Sequence, residues 1–200
     1  MNASSSTRER LRNAPNALSA LRIAAVPVLL GLAVTGREAA FTWVLVPALL
    51  SDIADGWIAR RFQLQSQLGA LLDSVADTLL LFVSIYGMWV FHRDVITSNV
   101  PVCVAVIGLW MLENGFALLR YGRLSSFHTY VSKVAGYLLG IYIGVLFVFG
   151  HSPWLLYTAA ALSIVGNLEE FALLAALPQW RANVRGLWWV LAERRDRGAS

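Results

Sequence analysis

Charge is what this sequence has least of: 14% of its 200 residues are Asp, Glu, Lys or Arg, against 58% hydrophobic. A soluble domain carries about a quarter of its residues charged, so the deficit argues against a water-soluble globule. Cysteine is nearly absent. Cys103 stands alone in an apolar run, which excludes an intrachain disulfide framework. The apolar runs are continuous and lack the period-two alternation of transmembrane strands, which disfavours a β-barrel. No small-residue cleavage pattern follows the arginine-rich start, so a cleaved leader is not expected. No internal repeat and no linker stands out, and a single domain is expected over residues 1–200.

What the chain has in quantity is long apolar segments. A hydrocarbon core of about 30 Å needs about 20 helical residues, and six runs qualify: 17–36, 39–60, 67–92, 99–121, 127–150 and 153–177. The expected fold is all-α, a polytopic membrane protein with six transmembrane helices. Twelve of the sixteen basic residues fall in segments on the side of the N-terminus, while Arg37 and Arg93 fall on the other and Arg22 and Lys133 lie within runs. The positive-inside rule then puts both termini in the cytoplasm. The same reading explains the net charge of +4 and a pI near 9.6 as topology signals, without a nucleic-acid partner. Residues 1–16 form a juxtamembrane segment, with a short interfacial amphipathic helix expected at 3–13 and span one starting after Pro15. Residues 178–200, with Trp180, Trp188 and Trp189 among arginines, suit a cytoplasmic interfacial tail.

Inside two of these runs sit four aspartates. Intramembrane acids are costly and mark function. Asp52 and Asp55 are three residues apart on span two, with Gly56, Ala59 and Arg60 following; Gly69, Asp73 and Asp77 stand at i, i+4 and i+8 on span three. Helical spacing puts the members of each set on one face. The two spans meet on the cytoplasmic side, which lets the four carboxylates converge there. Hard oxygen donors in that number favour Mg²⁺, Mn²⁺ or Ca²⁺. The small residues leave room for close approach, and Arg60 suits a phosphate. Together they describe a pyrophosphate site.

The run Asp-x2-Asp-Gly-x2-Ala-Arg-x8-Gly-x3-Asp-x3-Asp, formed by Asp52, Asp55, Gly56, Ala59, Arg60, Gly69, Asp73 and Asp77, resembles the signature of the CDP-alcohol phosphatidyltransferases. The resemblance implies a transferase that moves a phosphatidyl group from CDP-diacylglycerol to an alcohol and releases CMP. It implies that Asp52, Asp55, Asp73 and Asp77 hold two Mg²⁺ or Mn²⁺ ions. Asp55, Gly56, Ala59, Arg60 and Gly69 would shape the nucleotide pocket, and Asp77 would take the acceptor's proton. A homodimer in a bacterial cytoplasmic membrane, with its site toward the cytoplasm, also follows from the likeness. Pro15-Asn16-x2-Ser19-x2-Arg22 resembles the start of the phosphatidylglycerophosphate and cardiolipin synthase branches, with serine where threonine is usual. A helix cap followed by a snorkelling arginine is the competing account of these residues.

Arg120, Arg123 and Lys133 are candidates to grip an acceptor phosphate, Lys133 because its expected depth demands an anionic partner. Glycerol 3-phosphate is the first expected acceptor, with phosphatidylglycerol or inositol phosphate as alternatives; the stretch Phe127-His128-Thr129-Tyr130 departs from the Gly-Lys-containing segment of typical glycerophosphate enzymes. His128 fits a hydrogen-bonded helix start. Glu113, Glu169 and Glu170 are expected to pair with Arg22, Arg120 or Lys133. Trp43, Trp110 and Trp154 are expected to face lipid or its interface, and Gly136, Gly140 and Gly144 to permit close helix packing. A divalent-cation transporter is the alternative of another class, opposed by the grouping of the acids at one end of two spans and by Arg60 among them.

Overall fold

The computed structural model describes the backbone of residues 3–62, 67–122, 129–176 and 186–190. It describes the side chains of 17–51, 69, 72–73, 75–122, 129–176 and 186–190. The described residues are helical, without strands. In chain order the helices are α1 (Ala3–Val34), α2 (Glu38–Phe62), α3 (Gln67–Phe91), α4 (Arg93–Ser98), α5 (Val100–Tyr121), α6 (Tyr130–Phe149) and α7 (Pro153–Ala176). Each of the six long helices overlaps one of the six apolar runs. Four stretches among the described residues are long and apolar enough to cross a bilayer: Ala17–Val34, Val100–Tyr121, Tyr130–Phe149 and Pro153–Ala175. In α2 and α3 the described apolar stretches are shorter, Glu38–Ser51 and Val75–Phe91.

Two features differ from expectation. The backbone of α1 is helical without a break from Ala3 to Val34, so Pro15 does not separate a surface helix from span one, and the cap proposed around Asn16 and Ser19 does not exist. A proline removes one backbone donor and crowds one turn, a local loss that a long membrane helix tolerates; α2 likewise runs through Pro47. The short helix α4 went unforeseen because six residues carry too little periodicity to show.

The chain packs as two compact units. The first comprises Met1–Ile96 with Leu146–Gly150. Within it α1 packs along both α2 and α3. The α1–α2 connection is tight because Gly36 adopts φ +68° and closes the helix with Arg37 N–H to Leu32 O at 2.9 Å and Gly36 N–H to Ala33 O at 3.1 Å, the paired bonds of a Schellman motif. Beyond the turn, Phe41 is fully buried and its ring lies against Gly87, where a Cβ would collide with it. Phe91 and Phe147 complete an aromatic cluster around Phe41, at 5.5 and 5.1 Å between ring centres. His92 meets Phe147 edge to face, with 4.9 Å between ring centres, and its Nε2 lies 3.3 Å from Glu38 Oε1.

The second unit comprises Thr97–Val145 with His151–Ser200. Here α5 packs on α7. Gly122, at φ +66°, ends α5 with its N–H on Leu118 O at 2.8 Å. Ala117 of α5, Leu173 and Leu174 of α7, and Val190 from the helical residues 187–190 form a buried apolar cluster. Outward surfaces are apolar, with Trp43 81% and Trp154 76% exposed and Trp110 also exposed, as expected of side chains that face lipid or its interface. These helices, apolar on the outside, define a membrane protein.

Candidate active site

The site is built on α3 and α1. Gly69, Asp73 and Asp77 lie on consecutive turns of α3, and α1 supplies Arg22 opposite them. Its side chain is 1% exposed, and Nη2 donates to Asp73 Oδ1 at 2.6 Å. Nη1 donates to Asp77 Oδ1. Ser19, one turn earlier on α1 and also buried, stands 3.5 Å from Nη2. The two carboxylates remain 44% and 46% exposed. One buried guanidinium therefore holds two adjacent, accessible acids, which would otherwise repel each other. Charge-assisted bonds of this kind are the stronger class of hydrogen bond.

Asp52, Asp55, Gly56, Ala59 and Arg60 belong to the backbone of α2, while their side chains lie outside the described residues. Among the described residues no group of three or more His, Cys, Asp or Glu side chains is poised for a metal. The two described acids of the motif nonetheless suit a divalent ion: Asp73 and Asp77 are hard oxygen donors, accessible and one turn apart.

Arg22 is the residue whose role the sequence left divided. It is not a snorkelling cation, because it is buried and bridged to two acids. Its described ion-pair partners are Asp73 and Asp77. The signal available was a cation within an apolar run, which demands an anion, but fifty residues of separation hid which one.

The remaining candidates sit in the second unit. Lys133 falls in the first turn of α6, within the apolar stretch Tyr130–Phe149, and its side chain is exposed; the helix starts at Tyr130, three residues later than the apolar run. Arg120, in the last turn of α5, is exposed with its guanidinium 5.5 Å from the Tyr121 ring centre. Arg123 and His128 lie outside the described residues. The start of α6 is capped by Thr129, whose Oγ1 accepts the Ser132 N–H at 3.2 Å, an N-cap bond. Glu170 of α7 accepts the Thr129 N–H at 3.3 Å and the Ser132 hydroxyl. Glu169 accepts the Leu187 N–H at 3.0 Å. The described partners of both glutamates include neutral N–H and O–H donors. Glu113 is buried on α5. Gly136 and Gly140 have open space where a Cβ would stand, so neither serves close packing within the described chain.

An all-helical membrane protein carrying a pair of accessible acids on one helix face is the class these observations define. Residues 12–165 match the CDP-alcohol phosphatidyltransferase family, and the chain belongs to it. The CDP-diacylglycerol–glycerol-3-phosphate 3-phosphatidyltransferase of Pseudomonas fluorescens is similar, at 27% identity over 175 residues, 82% of this chain and 88% of that protein. A protein of the same name from Rickettsia typhi is 27% identical over 180 residues, 80% of this chain and 96% of its own. The CMP-forming cardiolipin synthase of Streptomyces coelicolor is 29% identical over 159 residues, 76% and 73% of the two chains.

Proposed function

We propose that this protein transfers a phosphatidyl group from CDP-diacylglycerol to an alcohol acceptor, with release of CMP. The observation that carries the reading is the pairing of Asp73 and Asp77 by Arg22, on the helix that bears three of the eight signature residues. The acceptor oxygen attacks the phosphorus that carries the diacylglycerol group, the bond from that phosphorus to CMP breaks, and the hydroxyl proton passes to Asp77. A carboxylate within hydrogen-bond reach of a bound hydroxyl is suited to that step. Asp52, Asp55, Asp73 and Asp77 would hold two Mg²⁺ or Mn²⁺ ions, which supply charge neutralisation at the pyrophosphate. Asp55, Gly56, Ala59, Arg60 and Gly69 would line the nucleotide pocket.

Glycerol 3-phosphate is the proposed acceptor, in keeping with the Pseudomonas and Rickettsia relatives and the Pro15-to-Arg22 pattern. Arg120, Arg123 and Lys133 would supply the cations for its phosphate. Phosphatidylglycerol is the second reading, favoured by the Streptomyces relative. The transport alternative has no support in the family or its named relatives, and a buried arginine between two of the acids would oppose a permeating cation. Six spans with both termini in the cytoplasm, an active site facing the cytoplasm, and a homodimer are part of the proposal; the open faces of Gly136 and Gly140 suit close approach of a second copy.

The test is CMP release by purified protein given CDP-diacylglycerol, Mg²⁺ or Mn²⁺, and one acceptor at a time. Release that depends on glycerol 3-phosphate is the expected result. Release with phosphatidylglycerol alone would establish the second reading, and no release with any alcohol would refute the transferase.

A further inference from the structure

We infer that Arg22 is a positioning residue for the reaction: its guanidinium fixes the orientation of Asp73 and Asp77 and thereby the geometry in which the pair meets a divalent ion. The inference rests on the transferase reading and extends it to a residue outside the eight-residue signature. Arg22 is too buried to touch substrate. Its two terminal nitrogens take one carboxylate each, and a planar fork suits that division better than an ammonium point charge.

Two acids one helical turn apart share a face but are free to rotate about χ1 and χ2. Fixing Oδ1 of each on the same guanidinium fixes the plane of each carboxylate, and with it the place of Oδ2. Anchoring behind the ligands in this way is how outer residues tune a metal site. Burial of Arg22 beside Ser19 on α1 keeps the anchor itself from moving. A merely structural ion pair would serve the fold equally well with any cation of similar reach. The positioning role requires the fork.

Arg22→Lys separates the two, because it keeps the charge and changes the geometry. Full-length protein in detergent is assayed by Mn²⁺ binding without substrate, followed by electron paramagnetic resonance, and by steady-state CMP release. The expected result is a variant that folds, binds Mn²⁺ about tenfold or more weakly and loses about 10- to 100-fold in kcat. At saturating Mn²⁺ its KM for CDP-diacylglycerol should stay within about twofold of the native value, the loss falling on kcat. Native Mn²⁺ affinity and native kcat in Arg22→Lys would overturn the inference, whether or not its melting temperature falls. If Arg22→Lys does not accumulate as folded protein, Arg22→Gln replaces it; loss of the charge alone should favour Mn²⁺ at the two acids, so weaker Mn²⁺ binding supports the positioning role and native or tighter binding overturns it. Absence of CMP release by the unmodified protein would refute the transferase reading instead, and the Mn²⁺ measurement would still decide the role of Arg22.

Discussion

An ionised carboxylate at the centre of a bilayer costs about 2.5–3.5 kcal/mol on insertion scales, and two on neighbouring turns add repulsion to desolvation. Asp73 and Asp77 are tolerated because each bonds Arg22 and each keeps nearly half of its surface accessible. Breaking a buried ion pair costs about 3–5 kcal/mol; the exposure of these acids puts the cost of losing Arg22 below that range. The proposed division of labour within the pair makes Asp77→Asn informative. The variant keeps shape and loses the proton acceptor, so transfer should fall by at least about 100-fold while CDP-diacylglycerol binding persists. Turnover at the native rate, measured as acceptor-dependent CMP release, would remove Asp77 from the role of base. Spacing alone shows that the two acids share a face, because a helix has one period. It says nothing of the residue that faces them from α1.

At the level of elements, local chemistry accounts for most of the boundaries. Gly36 turns α1 into α2 because a left-handed residue is needed there, and Gly122 ends α5 for the same reason. Gly87 has a different cause: the Phe41 ring occupies the space of its missing side chain. The start of α6 combines a Thr129 cap with the Glu170 carboxylate beside a helix N-terminus, where negative charge is favourable. That arrangement pins the turn carrying Lys133, the proposed partner of an acceptor phosphate. Lys133→Ala should therefore raise the KM for a phosphorylated acceptor about tenfold, the equivalent of one charge-assisted hydrogen bond, and leave the KM for CDP-diacylglycerol unchanged. Equal increases in both constants would make Lys133 structural. The helix start was read too early from sequence because apolar content does not mark a cap, whereas the Thr129–Ser132–Glu170 hydrogen bonds do.

For the whole molecule, the membrane assignment rests on length and composition, and its orientation on arginine bias. The proposed orientation is testable with the single native cysteine removed as Cys103→Ser. A new cysteine at Ser98→Cys, beyond α3, should react with an impermeant maleimide in intact cells. Cysteines at Ser4→Cys and Ser200→Cys should react only after lysis. The reverse pattern would invert the protein and move the proposed site to the opposite face.

The order of the apolar runs, the shortage of charge and the fixed spacing of eight signature residues were enough to determine an all-helical membrane protein and its family, because these are properties of a linear pattern with helical period. What a linear pattern does not hold is which side chain meets which across separate helices. Packing of α1 against α3 decided that Arg22 serves Asp73 and Asp77 from behind. Packing of α7 decided that Glu170 meets the Thr129 and Ser132 donors and Glu169 the Leu187 N–H. The cap at Thr129 placed Lys133 in the first turn of α6. Each outcome turns on a contact between residues from 18 to 55 positions apart or on a cap bond, and both arise only once the helices have formed and packed.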